Sequence, residues 1–377
     1  MEAASIEVEI REYEGERDRD GAEAVDRTCD GGGGVSIFTD HLGDPICRVR
    51  HSPSFRMLVA ETIWPRKQIV GVIRGCVKSI SCGTEIPRRR RLPIYTKAGY
   101  IVGLRVSPSH RRMGVGVKLV QGMEDWFRTH GAEYAYMATE KSNEASLLLF
   151  TGSCRYTLFR KPAIFVHPVF AHRLPVGSAI TRLTHAEAEA LYRRRFSTVE
   201  FFPRDIDAVL RNPFSLGTFL AVGVASWAVI SVWDCKSLFH LEVRGAPRLL
   251  RGIAWTTRAV DRALPWLGIP SIPDLFRPFG GYFLYGIGGE GPEAEKLLRG
   301  LCRHAHNMAK EGGCGVVAAE VAVGDPMAAG IPYWRRMSCL EDLWCIKRLN
   351  GEYSDGDVGD WTRSPPAGSI FADPRDV

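Results

Sequence analysis

Between Ile101 and Thr129 a β-branched run leads through Arg111-x-x-Gly114-x-Gly116 into a helical pattern. That order of residue types suits the binding of a phosphate. Amides in the first turn of a helix have no carbonyl partner behind them, so those of Met113, Gly114, Val115, Gly116 and Val117 can converge on one anion. The two glycines omit the Cβ atoms that would stand in its way, the helix dipole favours negative charge, and Arg111 adds a cation. Other phosphate loops fit poorly, because GxxxxGK[ST] is absent and GxGxxG is not matched at this turn.

The elements that must carry this turn follow from periodicity. Ile6, Val8 and Ile10 alternate with charged residues, which predicts a strand over 5–13, and a polar helix is expected over 16–27 before the glycine run Gly31–Gly34. "FRMLVAET" and "QIVGVIRGCVKSI" form an antiparallel pair, "AGYIVGLRV" a further strand, and a helix with Leu119, Val120, Met123, Trp126 and Phe127 on one face ends at Gly131. "AEYAYMAT" follows as a strand, "NEASLLLF" as a helix and "YTLFRKPAIFV" as a broken strand. The carboxyl half repeats this order. Thr184-x-x-Glu187 has capping-box spacing, 203–210 reads as a short helix, and the uncharged stretch Asn212–Trp233 reads as two buried strands joined near Gly223 rather than a membrane span. "YFLYGIGG", "PEAEKLLRGLCRHAHNMAKEGG" and "CGVVAAEVAV" complete a strand, a helix and a strand. A spacing of about 180 residues between corresponding helix stops points to a duplicated domain.

The string Val106-x-Pro108-x-His110-Arg111-x-x-Gly114-x-Gly116-x-x-Leu119 resembles motif A of the GNAT superfamily of N-acetyltransferases. Asn143-x-x-Ser146, with Phe150 and Tyr156, resembles its motif B. "NEASLLLFTGSCRY" and "FRKPAIFVHPVFAHRLP" are similar, more narrowly, to the plant Hookless-type probable N-acetyltransferases. The resemblance implies an α/β fold with a mixed sheet, here two tandem GNAT-like domains with the second degenerate: 1–168 binding acetyl-CoA, 169–350 without the turn, and 351–377, rich in Asp, Gly, Ser and Pro, as a disordered tail. It implies acetyl-CoA as co-substrate between strands 101–106 and 134–139. Its contacts would be Leu104, Arg105 and Val106 on the strand, Arg111, Arg112, Met113, Gly114, Val115, Gly116 and Val117 in the turn, and Asn143 and Ser146 beyond it.

An amine attacking a thioester needs a base, and the departing thiolate benefits from an acid. Glu140 and Glu61 are the available carboxylates, each also readable as an ordinary surface residue. The family's tyrosine falls at Phe150 or Thr151, neither of which is a phenol, so Cys154 or Tyr156 is the candidate acid. The second half carries "GIGGEGPEAEK" where motif A would stand, and Glu290 there brings negative charge towards a pyrophosphate. Cys302 and His306 share a helix face without a fourth ligand, so no metal is expected.

A chain of 377 residues, with 45% hydrophobic and 24% charged residues, is long enough for two cores. The formal charge of +6 is too mild to argue for nucleic acid, and the acidic start does not resemble a signal peptide. The ten cysteines contain no CxxC pair, which suits reduced thiols inside the cell. Arg88–Arg91 reads as a nuclear import signal, as a grip on an acidic partner or as a solvated loop insertion, so an intracellular protein is expected, in the nucleus or alternatively the cytoplasm. The expected activity is transfer of acetyl from acetyl-CoA to an amine, such as a histone lysine. The alternative is a regulatory acyl-CoA-binding protein of weak or no turnover.

Overall fold

The computed structural model of the chain describes residues 7–29, 36–64, 66–85, 93–350 and 360–377. The alternating amino-terminal segment forms β1 (Val8–Glu12), followed by α1 (Gly15–Cys29) and β2 (Ser36–Asp40). β3 (Ser54–Thr62), β4 (Ile69–Glu85) and β5 (Pro93–Val106) make an antiparallel meander that β1 joins at its edge. α2 (Val115–Thr129) then crosses one face, burying Leu119, Val120, Met123, Trp126 and Phe127, and β6 (Tyr134–Glu140) returns parallel to β5. A parallel return requires such a crossover. α3 (Glu144–Leu147) continues into a wide turn, and β7 (Thr157–Arg160) ends at Lys161-Pro162.

Beyond that proline, β8 (Ala163–Pro168) belongs to a different sheet. The carboxyl half supplies β9 (Ile180–Leu183), α4 (His185–Phe196), α5 (Ile206–Arg211), β10 (Ser215–Gly223) and β11 (Ser226–Asp234). The Thr184–Glu187 capping box is formed, and the uncharged stretch is a hairpin whose strands are largely buried while its tip, Val222 and Val224, is exposed. β12 (His240–Arg244) and α6 (Arg248–Ala263) come next, with β12 pairing to β2 as a separate ribbon. β13 (Gly281–Glu290), α7 (Ala294–Glu311), β14 (Val316–Val321) and β15 (Asp342–Arg348) complete the set.

The larger sheet runs β1-β3-β4-β5-β6-β15-β7 and the second β8-β14-β13-β11-β10-β9. Each has one parallel pair bridged by a helix: β5–α2–β6, paired over Ala98–Ile101 and Tyr134–Met137, and β13–α7–β14, paired over Gly281–Leu284 and Val316–Ala319. The repeated order expected for the two halves is therefore present in the fold. The boundary at 168/169 is not. β8 leaves the first half to pair with β14, and β15 leaves the second to lie between β6 and β7. Each sheet is completed by a strand from the other half, because Pro162 breaks β7–β8 where the chain must change direction.

The face of the larger sheet away from α2 packs against an aromatic layer that includes Tyr134, Tyr136, Phe201, Trp344 and Trp361. The expected disordered tail is corrected here. Residues 360–377 are packed, with Trp361 and Phe371 buried and Trp361 donating to Glu200 at 2.8 Å. Composition hides this, since two aromatic anchors and a few paired charges suffice to hold a polar segment. The glycine run Gly31–Gly34, the basic run Arg88–Arg91 and residues 351–359 lie outside the described residues.

Candidate active site

β5 and β6 are paired only as far as Ile101 and Met137, and beyond those rungs they part. Gly103 has φ +66°, and the register against β4 slips between Val72 and Arg74, so β5 carries a bulge that turns it away from its neighbour. The Ser107 amide donates to the Val70 carbonyl at 2.8 Å. Val70 and Ser107 are thus a hydrogen-bonded pair, and Val106, one residue earlier, must point its own N–H away from β4 into the opening.

Beyond the strand, Arg112 (φ +66°) and Gly114 (φ +78°) both adopt the left-handed conformation before α2 begins at Val115. Such alternation turns successive amides inward, towards one point. The first backbone bond in the helix runs from Lys118 to the Gly114 carbonyl at 3.1 Å, and the amides of Arg112 to Val117 donate to no acceptor among the described residues. A Cβ on Gly114 would meet nothing within 4 Å, so the space before the turn is open. Arg111 is exposed and ties turn to strand, its Nε donating to the Val106 carbonyl at 3.2 Å. Cys29, at the end of α1, reaches the same carbonyl at 3.3 Å.

The corresponding turn of the second half is filled. A Cβ at Gly288 would strike the Phe196 ring, one at Gly286 the Tyr192 hydroxyl and one at Gly291 the Ala225 carbonyl. Glu290 accepts from Arg195 at 3.1 Å, and the Glu293 amide is capped by Ser226 at 3.1 Å. These glycines serve close packing, whereas Gly114 borders empty space.

The other sequence candidates divide. Asn143 caps α3, its Oδ1 accepting from the Ser146 amide at 3.2 Å, which leaves its amide nitrogen for a ligand. Phe150 is buried, and Thr151 donates to the Leu147 carbonyl at 2.7 Å, so no phenol stands there. Glu61 is locked between Arg11 (3.0 Å) and Arg17 (3.2 Å), and its hydrogen bond from Arg11 holds its carboxyl below the ordinary range. With β4 between it and β5, it is not at the opening. Cys154 and Tyr156 are buried in the core beneath α2, facing Glu124 and Lys347. Burial raises the Cys154 thiol to about 11, and Tyr156 packs edge-on against Phe150 at 5.1 Å. Glu140 does end β6 at the opening, exposed, accepting from Ser142 at 3.2 Å.

Two acids absent from the sequence reading stand beside it. Asp342, the register partner of Glu140, is buried, and burial raises its carboxyl to about 6. Glu320, on β14, is raised to about 8 by burial and by Asp342. One indole N–H serves both: Trp344 Nε1 lies 3.1 Å from Glu320 and 3.2 Å from Asp342. Their placement could not be read locally, because it needs β14 and β15 from opposite sheets to meet.

Residues 38–152 match the Acetyltransferase (GNAT) family. Over 399 residues the chain is 57% identical to the Probable N-acetyltransferase HLS1 of Arabidopsis thaliana, covering 97% of this chain and 99% of that protein. It is 48% identical to the Acetyl transferase GW6a of Oryza sativa subsp. japonica, covering 91% of this chain and 83% of that one. Among solved structures, Saccharomyces cerevisiae N-myristoyltransferase with bound myristoyl-CoA shares the fold, with a TM-score of 0.55 and 9% identity over 92% of this chain and 80% of that one.

Proposed function

Since the chain belongs to the GNAT family and is an N-acetyltransferase, we propose that it passes acetyl from acetyl-CoA to a free amine in one direct step. The observation that carries this reading is the run of amides from Arg112 to Val117 that donate to no acceptor among the described residues, set where β5 parts from β6. These amides and Arg111 hold the pyrophosphate, and the Val106 N–H is directed to receive the thioester carbonyl oxygen as charge builds on it.

The amine nitrogen bonds to the carbonyl carbon, the carbon–sulfur bond breaks, and the products are an amide and the coenzyme A thiol. Asp342 takes the proton that the amine gives up, being ionised at neutral pH yet basic enough to accept it. Glu320 keeps its proton at that pH and can return one to the leaving sulfur. Glu140, exposed beside Asp342, passes the surplus proton to solvent.

Thiol release from acetyl-CoA, measured against a panel of amines, tests the reading. With a saturating acceptor, kcat should rise through about pH 6 as Asp342 ionises and fall through about pH 8 as Glu320 loses its proton. Asp342→Asn should lower kcat by roughly 100-fold or more and erase the acidic limb, leaving acetyl-CoA affinity unchanged. An unaltered limb in that variant would move the base elsewhere. Tight acetyl-CoA binding with no acceptor-dependent thiol release would instead favour a binding protein.

A further inference from the structure

An amphipathic helix of a globular protein ordinarily turns its apolar stripe into the core. α6 does the reverse. The stripe that meets the body of the protein is Ala254, Arg258 and Asp261, spaced i, i+4 and i+7. The buried Asp261 carboxylate accepts from the Ala171 amide at 2.7 Å, from His172 Nδ1 at 2.7 Å and from the Ser271 hydroxyl. Arg258 donates to the Val169 carbonyl at 2.5 Å, and the Ile272 amide donates to Thr257 at 3.3 Å. Polar bonds therefore dock the helix.

Its apolar residues point elsewhere. Leu249, Ile253, Val260 and Leu264 recur at i, i+4, i+11 and i+15, which places them on one stripe, and all four are exposed. Among the described residues, no side chain of α6 belongs to the hydrophobic cores of either sheet. The turn Pro265–Leu267 follows with Trp266, Leu267 and Ile269, also exposed, and Trp255 and Trp266 each keep 74% of their surface in water. Scattered exposed leucines need no explanation, but an aligned run of this kind marks a surface that something covers.

The charge says what. Over residues 245–273 the chain carries four arginines and one carboxylate, Asp261, which is spent on the docking bonds. Arg248, Arg251 and Arg262 are exposed on the side of the helix away from the leucine stripe, with Trp255 among them, and Arg251 lies 5.4 Å from the Phe276 ring. A helix apolar on one side, arginine-rich on the other and flanked by tryptophan suits the plane of an anionic membrane surface.

We propose that α6 and the turn after it dock on a bilayer rich in anionic lipid, the leucine stripe and Trp266 entering the acyl boundary and the arginines meeting the phosphate headgroups. At 16 residues α6 is too short to cross a membrane, so it lies along the surface. A second copy of the chain fits the surface less well, because it brings the same arginines and no exposed carboxylate in this segment to receive them. The surface shares no residue with the donor turn and does not depend on the acetyl-transfer reading.

The test sediments the full chain with vesicles of phosphatidylcholine alone and with vesicles containing about 30% phosphatidylserine. At low salt the partition coefficient should be at least about tenfold higher on the anionic vesicles, and high salt should remove most of the difference. Leu249→Ser/Ile253→Ser/Trp266→Ser should lower binding to anionic vesicles at least about tenfold. Arg248→Gln/Arg251→Gln/Arg262→Gln should do the same while leaving neutral vesicles within about twofold. All six side chains are exposed, so both variants should keep the wild-type thermal midpoint to within about 3 °C. Lipid brominated along its acyl chains should quench the tryptophan fluorescence of the wild type, and Trp266→Phe should lose most of that quenching.

No binding to anionic vesicles at low salt, equal binding to both kinds of vesicle, or binding that neither set of substitutions weakens would overturn the proposal. If the serine variant fails to fold, the arginine variant and the salt dependence decide. A wild type that ignores vesicles, self-associates in the ultracentrifuge and becomes monomeric with the serine substitutions would give the surface to a second copy. A monomeric wild type that ignores vesicles would give it to another protein, and either result would overturn the membrane assignment.

Discussion

Replacing Gly114 and Gly116 together with glutamate should abolish acetyl-CoA binding, raising Kd at least about 100-fold by calorimetry. Two effects combine. At φ +78° any side chain on Gly114 is strained, by about 1–2 kcal/mol for an L-residue held in that conformation. The two carboxylates then stand before amides and a helix dipole arranged for an anion, and repel the pyrophosphate they replace. Single alanines separate the effects. A Cβ on Gly114 meets no protein atom within 4 Å, so Gly114→Ala should cost the backbone strain and the little of the anion's space that one methyl takes, and keep binding within about tenfold. A Cβ on Gly116 comes within 3.2 Å of Leu149 Cδ2, the end of a side chain that can yield, so Gly116→Ala should be milder still. Wild-type affinity in the folded double glutamate variant would show that the cofactor binds elsewhere, and the proposed mechanism would fall with it.

Removing residues 360–377 should prevent stable folding. The Lys78 side chain is fully buried and is neutralised by Asp373 at 3.2 Å and by Asp376. Arg375 is held in turn by Asp373 at 2.7 Å and by Asp205 at 2.6 Å. Truncation strips Lys78 of both counter-charges and exposes the sites of Trp361 and Phe371. An uncompensated buried charge alone costs about 3–5 kcal/mol, comparable with the stability of many whole domains. Asp373→Asn isolates the ionic part and should lower the unfolding free energy, by urea titration at pH 7, by about 3 kcal/mol. The pH dependence has a definite sign. Burial raises the Asp373 carboxyl, but Arg375 and Lys78 outweigh it and hold it well below its ordinary value. Its contribution is therefore complete above about pH 4 and lost as pH falls towards the depressed folded value. The wild type should lose stability in acid more steeply than Asp373→Asn. A truncated chain with an unchanged unfolding midpoint would show that the segment merely rests on the surface.

The donor half of the site was legible in the sequence because it is contiguous. Strand, turn and helix from Ile101 to Thr129 are encoded by neighbours a few residues apart, and backbone amides point where the local conformation sends them whatever lies at a distance. The same holds for the Thr184 cap, the β10–β11 hairpin and the repeated strand–helix–strand order. Other features depend on encounters across the chain. Lys78 meets Asp376 across 298 positions, β8 and β15 complete each other's sheets, and Asp342 and Glu320 acquire their raised protonation only when packing removes water from both. Local periodicity determined the turn that receives a phosphate. Tertiary packing decided which acids hold protons at neutral pH, because desolvation and charge pairing are properties of neighbours in space rather than in sequence.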